Sequence, residues 1–238
     1  MSEPKVWSRF SVKAKDGKVL KLRIEAMTED RREELMNLLI NYFIPEESLH
    51  KSLGIPQKPD ALAELIETYK EFWSEKPNQN LTICVSDDET ETRGELLGAS
   101  LIALEAREDA SKEKPHYEPN TEEMKKFIEI YYVMAAKYNA FDKYDFDKFY
   151  NGRGLVVHPK CRGLGIAQEF LRVRRLVCKE NNIPMTGAWM TAYGTQKAAA
   201  RDNWETVFEM NTEDYAKEVG IKFENVPPTF MYMIGRSE

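Results

Sequence analysis

The sequence predicts one α/β domain in which a mixed sheet of about seven strands is flanked by helices. Short segments alternate apolar and polar residues, which is the period of a half-buried strand. Longer segments between them repeat apolar residues at helical spacing. Some strands follow each other through tight turns, which requires antiparallel pairs, whereas others are separated by helices. No internal repeat or linker interrupts the chain, so residues 1–238 are predicted to form a single domain.

Each predicted strand is a short apolar run bounded by turn-forming residues. The first two form a hairpin, because Asp16-Gly17 is a typical two-residue turn between alternating segments. Gly152 and Gly154 precede another strand and are compatible either with a β-bulge or with a plain turn. Segments with strand character cover residues 10–12, 20–26, 81–85, 96–104, 155–157, 185–191, 206–210 and 230–234.

The helices are predicted from apolar residues three and four positions apart. Asp30 and Glu33 are predicted to form a capping box for the first helix, and Pro45 to end it. Residues 106–120 are charged and contain two prolines, which indicates an exposed loop, and residues 141–150 form an aromatic-rich connection. The helical patterns cover residues 35–43, 60–73, 124–138, 166–177 and 196–201.

Composition excludes several classes of protein. Hydrophobic residues make up 42% of the chain and charged residues 31%, as in ordinary globular proteins. A net charge of −6 without a basic patch argues against a nucleic-acid partner. No apolar run reaches the roughly 20 residues of a membrane helix, and the first ten residues do not resemble a secretory signal. Three cysteines without metal-ligand spacing are typical of reduced thiols, so we expect a cytoplasmic protein without a metal.

The most specific motif follows the strand Leu155, Val156 and Val157. A short turn leads into a glycine-containing loop that opens directly onto an amphipathic helix. Free N–H groups and the helix dipole at such a site favour an anion, and an arginine provides a fork for phosphate oxygens. Neither the dinucleotide fingerprint nor the P-loop pattern is present. The predicted phosphate-binding residues are Arg162, Gly163, Leu164, Gly165, Ile166 and Ala167.

Arg162, Gly165 and Ala167 match the pattern R/Q-x-x-G-x-G/A. This resembles the coenzyme A pyrophosphate loop of the GNAT acetyltransferases. The resemblance implies a splayed sheet, acetyl-CoA as cosubstrate, and a strand at Leu155–Val157 whose free backbone binds the pantetheine arm. It also implies that a main-chain N–H near Val157 polarises the thioester carbonyl. A solvent-exposed arginine on a glycine-rich turn is the alternative interpretation.

A second segment, residues 43–54, contains the acidic pair Glu46-Glu47. It resembles the F-x-x-D/E-E-P-L-x-x-S-L-G segment of insect arylalkylamine N-acetyltransferase-like proteins, whose second acidic residue is assigned as the catalytic base. The resemblance assigns that role to Glu47, and Ser48 departs from the pattern at the proline. A carboxylate suits this role, because an alkylamine with a pKa of about 10 must lose a proton before it attacks a thioester. A solvated acidic pair after a helix end is the alternative.

Thr191 and Thr195 lie four residues apart after a predicted strand. In the same resemblance they occupy the places of two serines linked to the proton path. Both hydroxyls also suit capping roles, and Thr195 is predicted to cap the helix at residues 196–201. The tyrosine acid of many GNAT enzymes is replaced by Ala199 or Ala200, which leaves Tyr193 as a weak substitute.

The resemblance implies an acetyl-CoA-dependent N-acetyltransferase that acts on a small primary amine such as dopamine, serotonin or tyramine. We expect a monomer. No membrane or nucleic-acid partner is expected. A polyamine, hydrazine-like, peptide or long-chain acyl substrate remains an alternative, as does an acyl-CoA-binding module without turnover. Aromatic residues at 127–144 are interpreted either as the wall of an amine pocket or as helix core.

Overall fold

The computed structural model describes residues 3–74, 79–87, 93–110 and 118–237. Within them one mixed sheet has eight strands, in the order β1-β2-β3-β4-β5-β6-β8-β7. The mixed, helix-flanked sheet is as predicted, with eight strands in place of about seven. The strands are β1 (Val6–Lys13), β2 (Val19–Ala26), β3 (Gln79–Ser86), β4 (Leu96–Ala106), β5 (Lys148–Val157), β6 (Met185–Met190), β7 (Glu205–Asn211) and β8 (Thr229–Arg236).

Helices connect the strands and cover both faces of the sheet. A π-helical turn, Leu39–Phe43, extends the first helix to the point where the predicted Pro45 stop follows. Short 3₁₀ turns lie at Glu29–Arg31, Ile55–Gln57, Ala140–Asp142 and Pro159–Cys161. The α-helices are α1 (Arg32–Leu38), α2 (Ser48–Ser52), α3 (Pro59–Ser74), α4 (Arg107–Ala110), α5 (Glu122–Lys137), α6 (Ile166–Glu180), α7 (Tyr193–Arg201) and α8 (Thr212–Val219).

The alternation of side chains along the central strands creates a core on each face of the sheet. Ile83 and Val85 of β3 pack with Leu35 and Leu39 on one face. Their neighbour Cys84 points to the other face, where α6 contributes Phe170, Val173 and Val177 to a second core cluster. The sheet is therefore buried on both sides in its centre, which fixes the positions of α1 and α6 on opposite faces.

The pairing of β5 with β6 is the exception in an otherwise antiparallel sheet. These two strands are parallel and pair only at Tyr150↔Thr186 and Asn151↔Gly187. Beyond Asn151 they diverge, while β5 stays paired with β4 as far as Val157. The sheet is therefore splayed between β5 and β6, as the resemblance implied.

A β-bulge lies where the two strands part. Gly152 pairs with Ile102 and Gly154 with Leu101, so Arg153 is the extra residue of β5. A Cβ atom on Gly152 would lie 2.6 Å from the Cβ of Ala188, a distance that packed carbon atoms do not reach. Of the two alternatives left open by the sequence, a bulge or a plain turn, the bulge is present. Gly152 is required because β5 and β6 approach each other closely just before they separate.

Several local predictions were wrong or incomplete. The Asp30–Glu33 capping box does not form, because the chain enters α1 through a 3₁₀ turn and Arg31 precedes the helix without a side-chain cap. Part of the predicted 106–120 loop is α4, and residues 111–117 lie outside the described residues. The helices α2 and α8 were not predicted. Among the described residues no helix is long and apolar enough to cross a membrane.

Candidate functional site

A cavity of about 1080 Å³ lies in the gap between the diverging strands β5 and β6. It extends from the bulge at the vertex of the splay to the N-terminus of α6. One wall is the free edge of β5 from Gly152 to Val157, and the opposite wall is β6 from Ala188 onward. The Glu46–His50 segment closes one side, and α7 borders the other end with Lys197 and Arg201.

The loop at the head of α6 presents a row of free amides. The backbone N–H groups of Gly163, Leu164, Gly165, Ile166 and Ala167 have no acceptor among the described residues. Gly163 and Gly165 have φ angles of +80° and +87°, which side chains with a Cβ rarely adopt. No atom lies within 4 Å of the place where either Cβ would be, so the loop faces open space. Free amides at the positive end of a helix form an anion-binding site.

Arg162 lies beside this amide row but is engaged by protein groups. Its Nε donates to the carbonyl oxygen of Val157 at 2.9 Å, and its Nη1 donates to Oε2 of Glu46 at 2.7 Å. The pair with Glu46 is exposed, with 40% and 53% of the two side chains accessible. An anion at the amide row would therefore compete with Glu46 for the guanidinium.

The free edge of β5 contains the residues predicted to bind the pantetheine arm. Leu155, Val156 and Val157 pair with β4 on one side only. Unpaired strand edges are costly when they are shielded from water, and an extended ligand that bears amides can complete the ladder. This edge and the amide row line the same cavity, so one elongated ligand can contact both.

Glu47 borders the cavity at the N-terminus of α2. Its Oε2 accepts hydrogen bonds from the backbone N–H groups of Leu49 and His50, each at 2.9 Å, so the carboxylate caps the helix. Its Oε1 has no hydrogen-bond partner among the described residues. The side chain is 16% exposed, so this carboxylate is neither a freely solvated one nor sealed in the core.

Ser48 connects the Glu47 segment to β6. Its hydroxyl donates to the carbonyl oxygen of Thr191 at 3.1 Å, and the residue is buried. Ser48 is the residue that stands at the place of the proline in the pattern that this segment resembles. A proline has no hydroxyl, so the serine instead provides a bond that joins the two sides of the cavity at Thr191.

Thr195 lies inside α7 and does not cap it. The helix begins at Tyr193 with Ala192 as its N-cap, and the Thr195 hydroxyl donates to the carbonyl oxygen of Ala192 at 2.9 Å. Thr191 and Thr195 both border the cavity. Tyr193 is 50% exposed and does not border it, so this residue is not placed to donate a proton there.

The aromatic residues at 127–144 have two different roles. Phe127, Tyr131 and Tyr132 of α5 border the cavity. Tyr138 and Phe141 are instead buried in the main core cluster. The core interpretation therefore holds for Tyr138 and Phe141, whereas Phe127, Tyr131 and Tyr132 lie at the cavity.

Two arginines of the cavity were missed by the sequence analysis. Arg153, the bulge residue, donates to Oε1 of Glu105 at 2.6 Å and to the Tyr131 hydroxyl. Arg174 of α6 is 3% exposed and reaches the vertex of the splay. A signal existed for Arg174, because it lies four residues after Phe170 on the buried stripe of α6, where a charge is unexpected. Within the described part of the chain, no group of three acidic, histidine or cysteine residues is placed to hold a metal ion.

The fold is that of known N-acetyltransferases. A protein described as arylalkylamine N-acetyltransferase 7 of the mosquito Aedes aegypti aligns with a TM-score of 0.85 and 22% identity, covering 100% of this chain and 97% of that chain. Arylalkylamine N-acetyltransferase 2 of Aedes aegypti aligns at 0.71 and 19%, covering 91% and 99%. The polyamine N-acetyltransferase of Drosophila melanogaster aligns at 0.65 and 13%, covering 90% and 99%.

No protein-family model and no curated protein matches the sequence. At identities of 22% and below, the structural comparisons establish the GNAT fold. The similarity covers 90% to 100% of this chain in the three structures, so it concerns the fold as a whole.

His50 is a buried histidine beside Glu47. Its Nδ1 lies 3.4 Å from Oε2 of Glu47, and its ring packs against Phe43 and Phe127. Burial lowers the pKa of His50, and the negative charge of Glu47 opposes this only in part. Below about pH 6.5 the unfolded chain therefore takes up a proton that the folded chain does not.

We predict that acidification from pH 7.5 to pH 5.5 lowers the free energy of unfolding more in the wild type than in His50→Gln. The difference has an upper limit of about 1.4 kcal/mol per pH unit. Urea denaturation at both pH values measures it. His158→Gln is the comparison variant. Burial also lowers the pKa of His158, but this side chain is partly exposed, whereas His50 is buried. Equal pH slopes for wild type and His50→Gln would contradict a neutral buried His50.

Proposed function

We propose that the protein is an acetyl-CoA-dependent N-acetyltransferase that acts on a small primary amine, with an arylalkylamine such as dopamine, serotonin or tyramine as the acceptor. The observation that carries this proposal is a shared cavity. It is bordered by the residues of four free amides at the head of α6 (Gly163, Gly165, Ile166 and Ala167), by the unpaired edge of β5 and by Glu47. The amides would bind the diphosphate of coenzyme A, and the strand edge would bind its amide-bearing arm. The carboxylate would accept the proton of the amine.

The donor half of the cavity suits coenzyme A. The amides from Gly163 to Ala167 would bind the pyrophosphate, because they are free and lie at the positive end of α6. Arg162 would add a charged fork once it leaves Glu46. The backbone of Leu155, Val156 and Val157 would pair with the amides of the pantetheine arm.

The acceptor half favours an amine with a single charge. Among the described residues that line the whole cavity, only Glu46 and Glu47 are acidic, whereas five are arginine or lysine. A polyamine carries several positive charges and would need more carboxylates. Phe127, Tyr131 and Tyr132 offer ring faces that suit an aromatic amine. An arylalkylamine is therefore a better match than a polyamine, although both activities occur in the names of structural neighbours.

The proposed reaction is a direct transfer. The neutral amine nitrogen attacks the thioester carbonyl carbon, and its proton passes to Glu47 and then to solvent. A free backbone N–H on the β5 edge stabilises the oxyanion, a role in which one fixed donor contributes about 3–4 kcal/mol. The carbon–sulfur bond then breaks and its electron pair leaves with sulfur. Thr191 and Thr195 would donate hydrogen bonds along the proton path.

A thiol-release assay with acetyl-CoA tests the function. The panel contains dopamine, serotonin and tyramine, the polyamines agmatine and spermidine, a hydrazine and a peptide N-terminus. We expect release of coenzyme A to be fastest with the aromatic amines. Release with none of these amines, together with tight binding of acetyl-CoA, would instead identify a binding module without turnover.

We predict that Glu47→Gln lowers kcat/KM by about 100-fold at pH 7 and much less at pH 9. More of the amine is already neutral at the higher pH, so a base is needed less. Glutamine retains an oxygen that can cap α2, which preserves the local fold. The pH–rate profile of each variant at saturating acetyl-CoA measures the effect, with Glu46→Gln as the adjacent control. A Glu47→Gln profile parallel to that of the wild type would remove Glu47 from the mechanism.

We predict opposite effects on acetyl-CoA affinity for the two members of the exposed ion pair. Arg162→Ala weakens binding by roughly 10-fold or more, since a charge-assisted bond to phosphate is lost. Glu46→Gln tightens binding by about two- to five-fold, because an exposed pair worth up to about 1 kcal/mol no longer has to break. Calorimetry measures both affinities. Unchanged binding in Arg162→Ala would contradict the pyrophosphate assignment.

A further inference from the structure

Arg174 is a buried cation at the vertex of the splay. Its Nε donates to the Ser100 hydroxyl at 2.8 Å, and its Nη2 donates to the carbonyl oxygen of Gly154 at 2.9 Å and approaches that of Leu101 at 3.4 Å. These bonds hold the guanidinium under the bulge of β5. They use the Nε and Nη2 donors and leave the two N–H groups of Nη1.

The Nη1 atom of Arg174 points to the place where β5 and β6 separate. It lies 2.8 Å from the position of a Cβ on Gly152, and Arg174 borders the cavity. No carboxylate among the described residues pairs with it. The titratable group that acts on its pKa is the thiol of Cys178, whose own pKa is raised to about 12 by burial, so this thiol stays neutral.

Burial lowers the pKa of Arg174 to about 10, and the side chain remains charged at neutral pH. A charge that is 3% exposed and has no counterion is expensive to bury. Such an arrangement is stabilised when an anion enters the cavity at this point. The structure therefore contains two anion-attracting groups on α6: the amide row at its N-terminus and Arg174 two turns further along.

The distance between these two groups matches the length of the pantetheine arm. Arg174 follows Ile166 by eight residues, which is about 12 Å along the helix axis. Along β5, the path from Val157 back to Gly152 is roughly 16 Å. An extended arm of about a dozen bonds reaches on the order of 15 Å. The sulfur atom would thus lie near the vertex, further from Val157 than the sequence resemblance placed it.

We propose that Arg174 is a catalytic residue that stabilises the coenzyme A thiolate as it leaves; this inference rests on the proposed acetyl transfer. When the carbon–sulfur bond breaks, the electron pair stays on sulfur, and Nη1 of Arg174 faces the resulting negative charge. The thiolate takes its proton later from solvent. By the sequence resemblance, Ala199 or Ala200 of α7 replaces the tyrosine acid of many GNAT enzymes, so a fixed cation takes over its task.

Paired ligands test this role separately from turnover. Coenzyme A has the thiol and desulfo-coenzyme A lacks it. In the wild type we expect the thiolate absorbance of bound coenzyme A to appear about one pH unit lower than that of free coenzyme A. Calorimetry at pH 9 should show coenzyme A bound about tenfold more tightly than desulfo-coenzyme A.

The variants separate charge from shape. Arg174→Gln removes the charge and should abolish both the thiolate shift and the preference for coenzyme A, with kcat lower by about 10- to 100-fold. Arg174→Lys keeps a charge and should retain most of both. Ser100→Ala removes one anchor of the guanidinium and should give a smaller thiolate shift than the wild type. Near-ultraviolet circular dichroism establishes that each variant is folded.

Several results would overturn the proposal. If folded Arg174→Gln binds coenzyme A and desulfo-coenzyme A with the same ratio as the wild type, Arg174 only supports the bulge. If the wild type binds succinyl-CoA at least tenfold more tightly than acetyl-CoA, and Arg174→Gln loses this preference, the cation recognises an acyl carboxylate instead. If the thiolate shift is present but no amine supports thiol release, the anion site is correct and the proposed acetyl transfer is not.

Discussion

The separation of β5 from β6 beyond Asn151 is the constraint on which the rest of the structure depends. In a continuous sheet each strand satisfies its backbone groups on both sides, and an unpaired edge inside a protein is costly. Here the two strands separate directly after the close approach of Gly152 to Ala188, at the extra residue of the bulge. The β5 edge is consequently available to a ligand, and both cores are complete without it.

The charges around the gap are arranged along α6. The N-terminus of this helix presents free amides, and its buried face carries Arg174 to the opposite end of the gap. Glu47 lies across the cavity, held by two backbone N–H groups of α2 and joined to β6 through Ser48 and Thr191. The cavity therefore offers an elongated anionic ligand the groups on α6, and it offers a cationic acceptor the carboxylate of Glu47.

Local features of the fold were predictable because their signals are local. The hairpin of β1 and β2, the apolar stripe of α6 and the glycine loop at residues 163–165 follow from short-range pattern and turn chemistry. The predictions of the Asp30–Glu33 capping box and of Thr195 as a helix cap were wrong, because they also relied on local pattern alone. A 3₁₀ turn before α1 and an earlier start of α7 changed which residue lies at each helix end, and nearby packing decides that choice.

The sequence by itself determined the fold class, the anion loop from Arg162 to Ala167 and the acidic candidate Glu47, since each is written in contiguous residues. Only the tertiary structure decided that Ser48 bonds to Thr191, that Glu46 occupies Arg162, and that Arg174 faces the vertex. These contacts join residues 20 to 143 positions apart along the chain, or depend on which helix face is buried. Spacing in a sequence contains no information on such distances until the sheet has brought the elements together.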